Sequence, residues 1–207
     1  MRTGVAETIY VIDDDESVRD SLLILLSLKG YQVQAFASAK AFLDAMPPVI
    51  AGCLLLDIRM PQVSGLQLQA ELAARGIDVP VVIITGHGDV SAARSAFLHG
   101  AIDFLEKPLE EDAVLGAIRE SLSRDRQRRE QEASVVQRDA AMARLTARER
   151  EVMELLCDGH RNVDIAEQLG ISPRTVEVHR AHLMAKLQVD DLAELIRLCR
   201  NSRPSGS

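Results

Sequence analysis

Tryptophan is absent from the 207-residue chain, and aromatic residues make up only 3% of it. Recognition by stacking aromatic rings on exposed bases is therefore excluded as a main mode. Cysteine is scarce: Cys53, Cys157 and Cys199 lie far apart and are odd in number. Each is expected to be a small buried hydrophobe in a reducing cytoplasm rather than a disulfide partner or a metal ligand. No apolar run reaches bilayer length, so no membrane partner is expected. A basic segment followed by an apolar one is missing at the N-terminus, so a secretory leader is not expected and the cytoplasm is the expected compartment. Positive charge is scarce at the front. Residues 1–121 hold 9 Lys and Arg against 17 Asp and Glu, residues 122–144 hold 6 against 4, and residues 145–207 hold 9 against 10. An acidic front suits a divalent cation better than nucleic acid. A near-neutral tail means that any DNA contact rests on where its charges lie.

What is present is an alternation of strand-like and helix-like stretches. Thr8-Ile9-Tyr10-Val11-Ile12 is β-branched and aromatic, and it ends at Asp13-Asp14-Asp15-Glu16. Val18, Leu22, Leu25 and Leu26 recur at helical spacing over residues 17–28, and Gly30 stops that helix. Residues 32–36 alternate like a strand. Ser38 can cap a helix that ends before Pro47-Pro48. The apolar run Cys53-Leu54-Leu55-Leu56 ends at Asp57 and turns at Pro61, as a strand buried on both faces would. Residues 66–74 read as helix, 79–84 as a buried strand ending at Thr85-Gly86, 89–99 as helix and 102–105 as a short strand before Glu106-Lys107-Pro108. A further helix begins near Glu110. Five alternations predict an α/β doubly wound, five-stranded parallel sheet.

Strand ends in such a sheet form one edge, and here they deliver Asp13, Asp14, Asp57, Thr85 and Lys107 to it. Carboxylates brought together repel unless a cation compensates them. Asp13, Asp14 and Asp57 thus make a hard oxygen site suited to Mg²⁺. A carboxylate neutralised in this way can attack phosphorus and become an aspartyl phosphate. Lys107 supplies fixed positive charge for phosphoryl oxygens, and Thr85 supplies a hydroxyl. Taken singly, Asp13 to Asp15 could equally be a helix cap, Thr85-Gly86 a plain turn and Lys107-Pro108 a loop start.

Residues 122–144 mix Arg124, Arg126, Arg128 and Arg129 with Asp125, Glu130 and Glu132 and contain no Gly or Pro. They read as a solvated helix linking two domains. Val135, Val136 and Met142 leave a short coiled coil open. From Leu145 the pattern is four short helices. Thr146 and Glu149 form a capping box, Gly159 and Gly170 end helices, and Ser172-Pro173 starts the third. On that third helix Val176, Leu183 and Leu187 share one face. Arg174, Val178, Ala181 and Ala185 lie opposite, with Glu177 and His182 beside them. Small residues flanked by Arg and His suit entry into a major groove, although the surface of a small bundle looks similar.

The motifs Val11-Ile12-Asp13-Asp14-Asp15, Leu56-Asp57-Ile58-Arg59-Met60-Pro61, Ile84-Thr85-Gly86-His87-Gly88-Asp89 and Asp103-Phe104-Leu105-Glu106-Lys107-Pro108 resemble those of receiver domains. Residues 145–152 and 171–181 resemble a LuxR-type helix-turn-helix domain. The whole chain resembles a two-component response regulator of the FixJ type. That resemblance implies a flavodoxin-like receiver over residues 1–121, a helical linker over 122–144 and an all-α helix-turn-helix domain over 145–207. It implies Asp57 as acceptor of phosphate from a sensor histidine kinase, and no enzymatic turnover beyond that chemistry. Mg²⁺ would rest on Asp13, Asp14, Asp57 and the Arg59 carbonyl. Thr85 and Phe104 would form a switch pair, although Phe104 is also simply a core aromatic. Phosphorylated receivers would form homodimers through Ala92, Ala96, Phe97 and Ile102. Double-stranded DNA would meet Asn162, Ser172, Arg174, Thr175, Glu177, Val178, Ala181, His182 and Lys186, with RNA polymerase as a further partner.

The residue after Asn162 is Val163, where the family usually carries Lys, and Asp190-Asp191 replaces a polar, uncharged start to the last helix. Two other readings fit parts of the chain: a Mg²⁺ phosphohydrolase with an aspartyl nucleophile, and a transcription factor whose receiver is a phosphorylation-independent dimerisation platform. The near-neutral tail yields a test. Log affinity for duplex DNA against log salt should have a shallow slope, and one above about eight released ions would contradict the expectation.

Overall fold

The computed structural model describes residues 6–86 and 100–202. Its contacts divide the chain into two compact units, Met1–Glu130 and Gln131–Ser207. In the first, strands β1 (Thr8–Ile12), β2 (Gln32–Phe36), β3 (Gly52–Asp57), β4 (Val81–Thr85) and β5 (Asp103–Glu106) form one sheet in the order β2-β1-β3-β4-β5, with every pairing parallel. Helices α1 (Glu16–Leu28), α2 (Ala39–Ala45), α3 (Gly65–Ala74) and α4 (Glu111–Ala143) follow their strands. The expected five-stranded doubly wound sheet is what the chain forms. The helix expected over residues 89–99 lies outside the described residues.

Side chains of a strand alternate between faces, which explains why β1, β3 and β4 carry no polar interruption. Tyr10, Ile12, Leu54, Leu56, Val81 and Ile83 pack with Phe42 of α2 and with Leu68 and Leu72 of α3. Ile9, Val11, Cys53, Leu55, Val82 and Ile84 pack on the other face with Leu22 and Leu26 of α1 and with Val114, Ile118 and Leu122 of α4. Local signals set the helix starts. The Asp15 carboxylate caps α1, Ser38 caps α2, and Ser64 with Gln67 makes a capping box on α3.

The stretch expected to be a solvated linker from residue 122 is corrected in its first part. Asp125 is fully buried and its side chain reaches the start of β3. Asp125 Oδ2 accepts from the Gly52 N–H at 2.9 Å, and Arg128 and Arg129 each approach the carboxylate to 2.7 Å. Glu7 is paired in turn with Arg126 at 2.8 Å and Arg129 at 3.0 Å. Gly52 has a φ of +132°, and a Cβ there would lie 1.9 Å from the Thr8 carbonyl oxygen. Only glycine lets β3 run this close to β1 while turning its N–H to Asp125. Charged composition suggested solvent, but these charges satisfy one another against the sheet.

The second unit holds α5 (Ala147–Cys157), α6 (Asn162–Leu169), α7 (Pro173–Leu187) and α8 (Leu192–Ser202). Val152, Leu156, Ile165, Val176, Leu183, Leu187 and Leu195 form its core. Met142, near the end of α4, packs against that core, whereas Val135 and Val136 are exposed. Gly170 ends α6 in the left-handed conformation, and Ser172 with Pro173 starts α7. The expectation for the cysteines holds for Cys53 but not for the other two. Cys157 and Cys199 are joined as a disulfide with Cα atoms 6.4 Å apart. Their separation of 42 residues conceals that α5 and α8 pack together.

Asp125→Ala strands the Gly52 N–H and should cost about 2–3 kcal/mol in urea unfolding. Asp125→Asn keeps an acceptor for that N–H and should cost clearly less. Equal losses would show that Gly52 is not what Asp125 serves.

Candidate functional site

The strand order reverses between β1 and β3, where an open α/β sheet forms its ligand crevice. Asp13 directly follows β1, Asp57 ends β3, Thr85 ends β4 and Lys107 directly follows β5. Asp13, Asp57 and Thr85 are buried, and Lys107 is half-buried. Lys107 Nζ donates to Asp57 Oδ1 at 2.9 Å and lies 2.8 Å from Asp13 Oδ2. Two buried carboxylates therefore share one ammonium. The Thr85 hydroxyl donates to the Gly86 carbonyl at 3.1 Å.

Local structure explains the placement. Asp15 is consumed as the cap of α1, accepting from the Ser17 N–H at 2.9 Å. Arg19 Nη1 donates to the carbonyls of Asp13 (2.8 Å) and Asp14 (2.9 Å), which fixes the loop after β1. The N-terminus of α3 lies against Asp57, and a Cβ on Gly65 would come within 2.3 Å of the Asp57 carbonyl oxygen. Asp14 is exposed on its loop, and the Arg59 side chain is also exposed. Among the described residues, no three Asp, Glu, His or Cys side chains converge at metal-ion distance. The pocket thus brings together Asp13, Asp57, Lys107 and Thr85, but it does not gather the three expected carboxylates into one cluster.

Burial pushes the Asp13 carboxyl above the usual aspartate range, the bond to Lys107 works against that rise, and the charge of Asp57 adds to it. Burial disfavours the Lys107 ammonium, but its bonds to Asp13 and Asp57 outweigh burial and lift its pKa above that of ordinary lysine. Phe104 on β5 is half-buried and packs against the core on the α2–α3 side. Ile102 is half-buried, and its N–H donates to the Val81 carbonyl at 2.8 Å. Ala92, Ala96 and Phe97 lie outside the described residues.

In the second unit, Val176, Leu183 and Leu187 of α7 are buried, while Arg174, Glu177, Val178, Ala181, His182 and Ala185 are exposed. The expected two-faced helix is present. Arg174 Nη1 lies 3.2 Å from Glu177 Oε2, and the Ser172 and Thr175 hydroxyls are 2.8 Å apart within the cap. Asn162 is half-buried at the start of α6, and Val163 beside it is exposed. Asp164 pairs with Arg161 at 3.1 Å. Lys186, expected on DNA phosphate, has a partner within the unit. Its Nζ donates to both oxygens of the buried Glu149, at 2.9 and 2.6 Å. That bond, with the Thr146 N–H at 2.8 Å, holds the Glu149 carboxyl down at about 2. Sequence pattern identified Glu149 as half of a capping box but gave no sign of its partner 37 residues on.

Residues 9–119 match the family model of the response regulator receiver domain, and residues 143–199 match that of bacterial regulatory proteins of the luxR family. The chain is 48% identical over 190 residues to the transcriptional regulatory protein FixJ of Azorhizobium caulinodans, covering 92% of this chain and 90% of that protein. The chain belongs to the two-component response regulators of the FixJ type. FixJ of Bradyrhizobium diazoefficiens is 45% identical over 92% of this chain and 93% of its own length. Among solved structures, the response regulator StyR aligns with a TM-score of 0.88 at 42% identity, covering 95% of this chain and all of its own. Full-length FixJ from B. japonicum aligns with a TM-score of 0.60 at 44% identity, covering 95% and 97%. These response regulators place the chain among transcriptional regulators that pair a receiver with a LuxR-type DNA-binding domain. Among the described residues no helix is long and apolar enough to cross a membrane.

In this response regulator the raised Asp13 carboxyl has a stability consequence. An acid whose folded pKa lies above its unfolded value binds more protons when folded, so stability falls as pH rises through that window and stays lower above it. Asp13→Asn removes the ionisation. In chelator-treated buffer it should raise the melting temperature at pH 7 by roughly 2–4 °C. A lower melting temperature would contradict the assignment.

Proposed function

We propose that Asp57 accepts a phosphoryl group from a sensor histidine kinase, and that the modified receiver dimerises and brings two α7 helices to DNA to regulate transcription. The observation carrying this reading is the buried Asp57 carboxylate held by Lys107 beside Asp13, with Thr85 ending the adjacent strand. The Asp57 carboxylate attacks phosphorus, and the bond from phosphorus to the donor breaks. Lys107 is already on Asp57 Oδ1 and can bind a phosphoryl oxygen without leaving the pocket. Transfer of this kind needs placement and charge neutralisation more than acid–base chemistry.

The donor set fits Mg²⁺. Asp13 and Asp57 are oxygen donors with one ammonium between them, so the pocket retains negative charge that a divalent cation would balance. Asp13, Asp14, Asp57 and the Arg59 carbonyl are the residues that would hold it. When bound, the ion neutralises charge between carboxylate and phosphoryl oxygens. A groove of about 340 Å³, lined by Val18, Leu22 and Leu25 of α1 and by Leu109, offers a protein donor an apolar footing beside Lys107.

Phosphorylation adds charge and acceptor oxygens. The Thr85 hydroxyl then leaves the Gly86 carbonyl for the phosphoryl group, and the half-buried Phe104 ring follows it inward. Two receivers then pair through Ala92, Ala96, Phe97 and Ile102. Phosphate biases an equilibrium that exists without it. The paired chains present Asn162, Ser172, Arg174, Thr175, Glu177, Val178, Ala181 and His182 to two half-sites. Glu177 would accept from a cytosine amino group once free of Arg174. RNA polymerase is the partner through which transcription changes.

Radiolabelled acyl phosphate with magnesium should label the intact chain and leave Asp57→Ala unlabelled, and sedimentation should show a larger mass with the donor than without it. Equal labelling of the variant would remove Asp57 from its role, and an unchanged mass would remove the dimer.

A further inference from the structure

Thiol chemistry separates the three cysteines into two classes. Cys53 lies inside β3 and is fully buried. Burial, and behind it the charges of Asp125 and Glu7, push its pKa up to about 12, so it offers almost no thiolate at neutral pH. Cys157 and Cys199 differ. Cys157 is the last residue of α5, Cys199 lies in the last turn of α8, and both are half-buried. Their Cα separation of 6.4 Å falls within the range that permits a disulfide without backbone movement. Val152 and Leu156 of α5 and Leu195 of α8 share one core, against which both cysteines pack. Neither cysteine takes part in the acidic pocket, and neither lies on the exposed face of α7.

We propose that Cys157 and Cys199 form a reversible thiol-oxidation site, closed by peroxide and reopened by small thiols, which clips α5 to α8 of the DNA-binding unit. One thiolate attacks the peroxide O–O bond, giving a sulfenic acid and one water after protonation. The second thiol displaces that oxygen as another water and forms the S–S bond. Two thiols lose two electrons and two protons, and the peroxide takes up both. A small thiol such as glutathione restores the dithiol by exchange through a mixed disulfide. The loop so closed contains all of α6 and α7. Restricting it acts on the unfolded chain, so oxidation should stabilise the unit without covering Arg174, Glu177, Val178 or Ala181.

The test uses the full chain, reduced and then freed of reductant without air. Two thiols should react with an aromatic disulfide reagent in the native protein, and the third only after denaturation. One equivalent of hydrogen peroxide should abolish the two fast thiols and spare the slow one. Peptide mapping should then show Cys157 linked to Cys199 within one chain. Calorimetry should show the oxidised chain melting roughly 10 °C above the reduced one. Dithiothreitol should reverse that shift, and Cys199→Ser should lack it. Fast thiols that survive peroxide, bonds between chains, loss of Cys53 alongside the pair, or an oxidation-dependent shift retained in Cys199→Ser would each overturn the proposal. If Cys199→Ser does not fold, the thiol count and peptide map of the wild-type chain decide.

Discussion

Two buried carboxylates sharing one ammonium set the terms for the N-terminal unit. Asp13 and Asp57 stand at the ends of neighbouring strands, and Lys107, arriving from β5, lies between them. A buried carboxylate pair is unfavourable by repulsion and by lost hydration, so strand ends bring it together only because the sheet behind them is rigid and apolar. Burial, and after it the charge of Asp57, outweighs the bond to Lys107, which is why Asp13 holds its proton more tightly than an exposed aspartate. A pocket left short of positive charge is suited to a divalent cation, and a carboxylate held by lysine is placed to attack phosphorus.

The same strand that ends at Asp57 begins at Gly52, and each end is held by a charged group. Asp125 of α4 accepts from the Gly52 N–H, while Lys107 donates to Asp57. β3 therefore lies between a helix anchor and the acidic pocket. Asp125 takes the early part of α4 out of solvent and into the receiver, and it does so with Arg128, Arg129 and Glu7 as compensating partners. A comparable device occurs in the second unit, where buried Glu149 ties the start of α5 to Lys186 of α7. In each case a buried acid satisfies a backbone N–H and a basic side chain together, which makes its burial affordable.

Much of this was legible in the chain itself. Cys53 to Leu56 followed by Asp57 reads as a strand covered on both faces, and Asp13, Thr85 and Lys107 fall at three other strand ends for the same reason. Val176, Leu183 and Leu187 mark the buried side of α7 by spacing alone. Boundaries were legible to within a residue or two wherever a cap was present, as at Ser38, Thr146 and Ser172. The run of charge around residue 125 misled because composition reports the amount of charge and not its pairing. The partner of Lys186 was hidden in the same way: it is an acid in another helix, 37 residues away in the chain. Cys157 and Cys199 looked unrelated because 42 residues separate them.

Local order was thus set by the sequence alone: the alternation of elements, their caps, the two apolar faces of the sheet and the residue types sent to its carboxyl edge. These follow from side-chain periodicity and backbone preference, which act over a few residues. Tertiary structure decided which charges meet. Lys107 with Asp13 and Asp57, Asp125 with Gly52, Glu149 with Lys186 and Cys157 with Cys199 are pairs formed by packing between elements, and no periodicity encodes them.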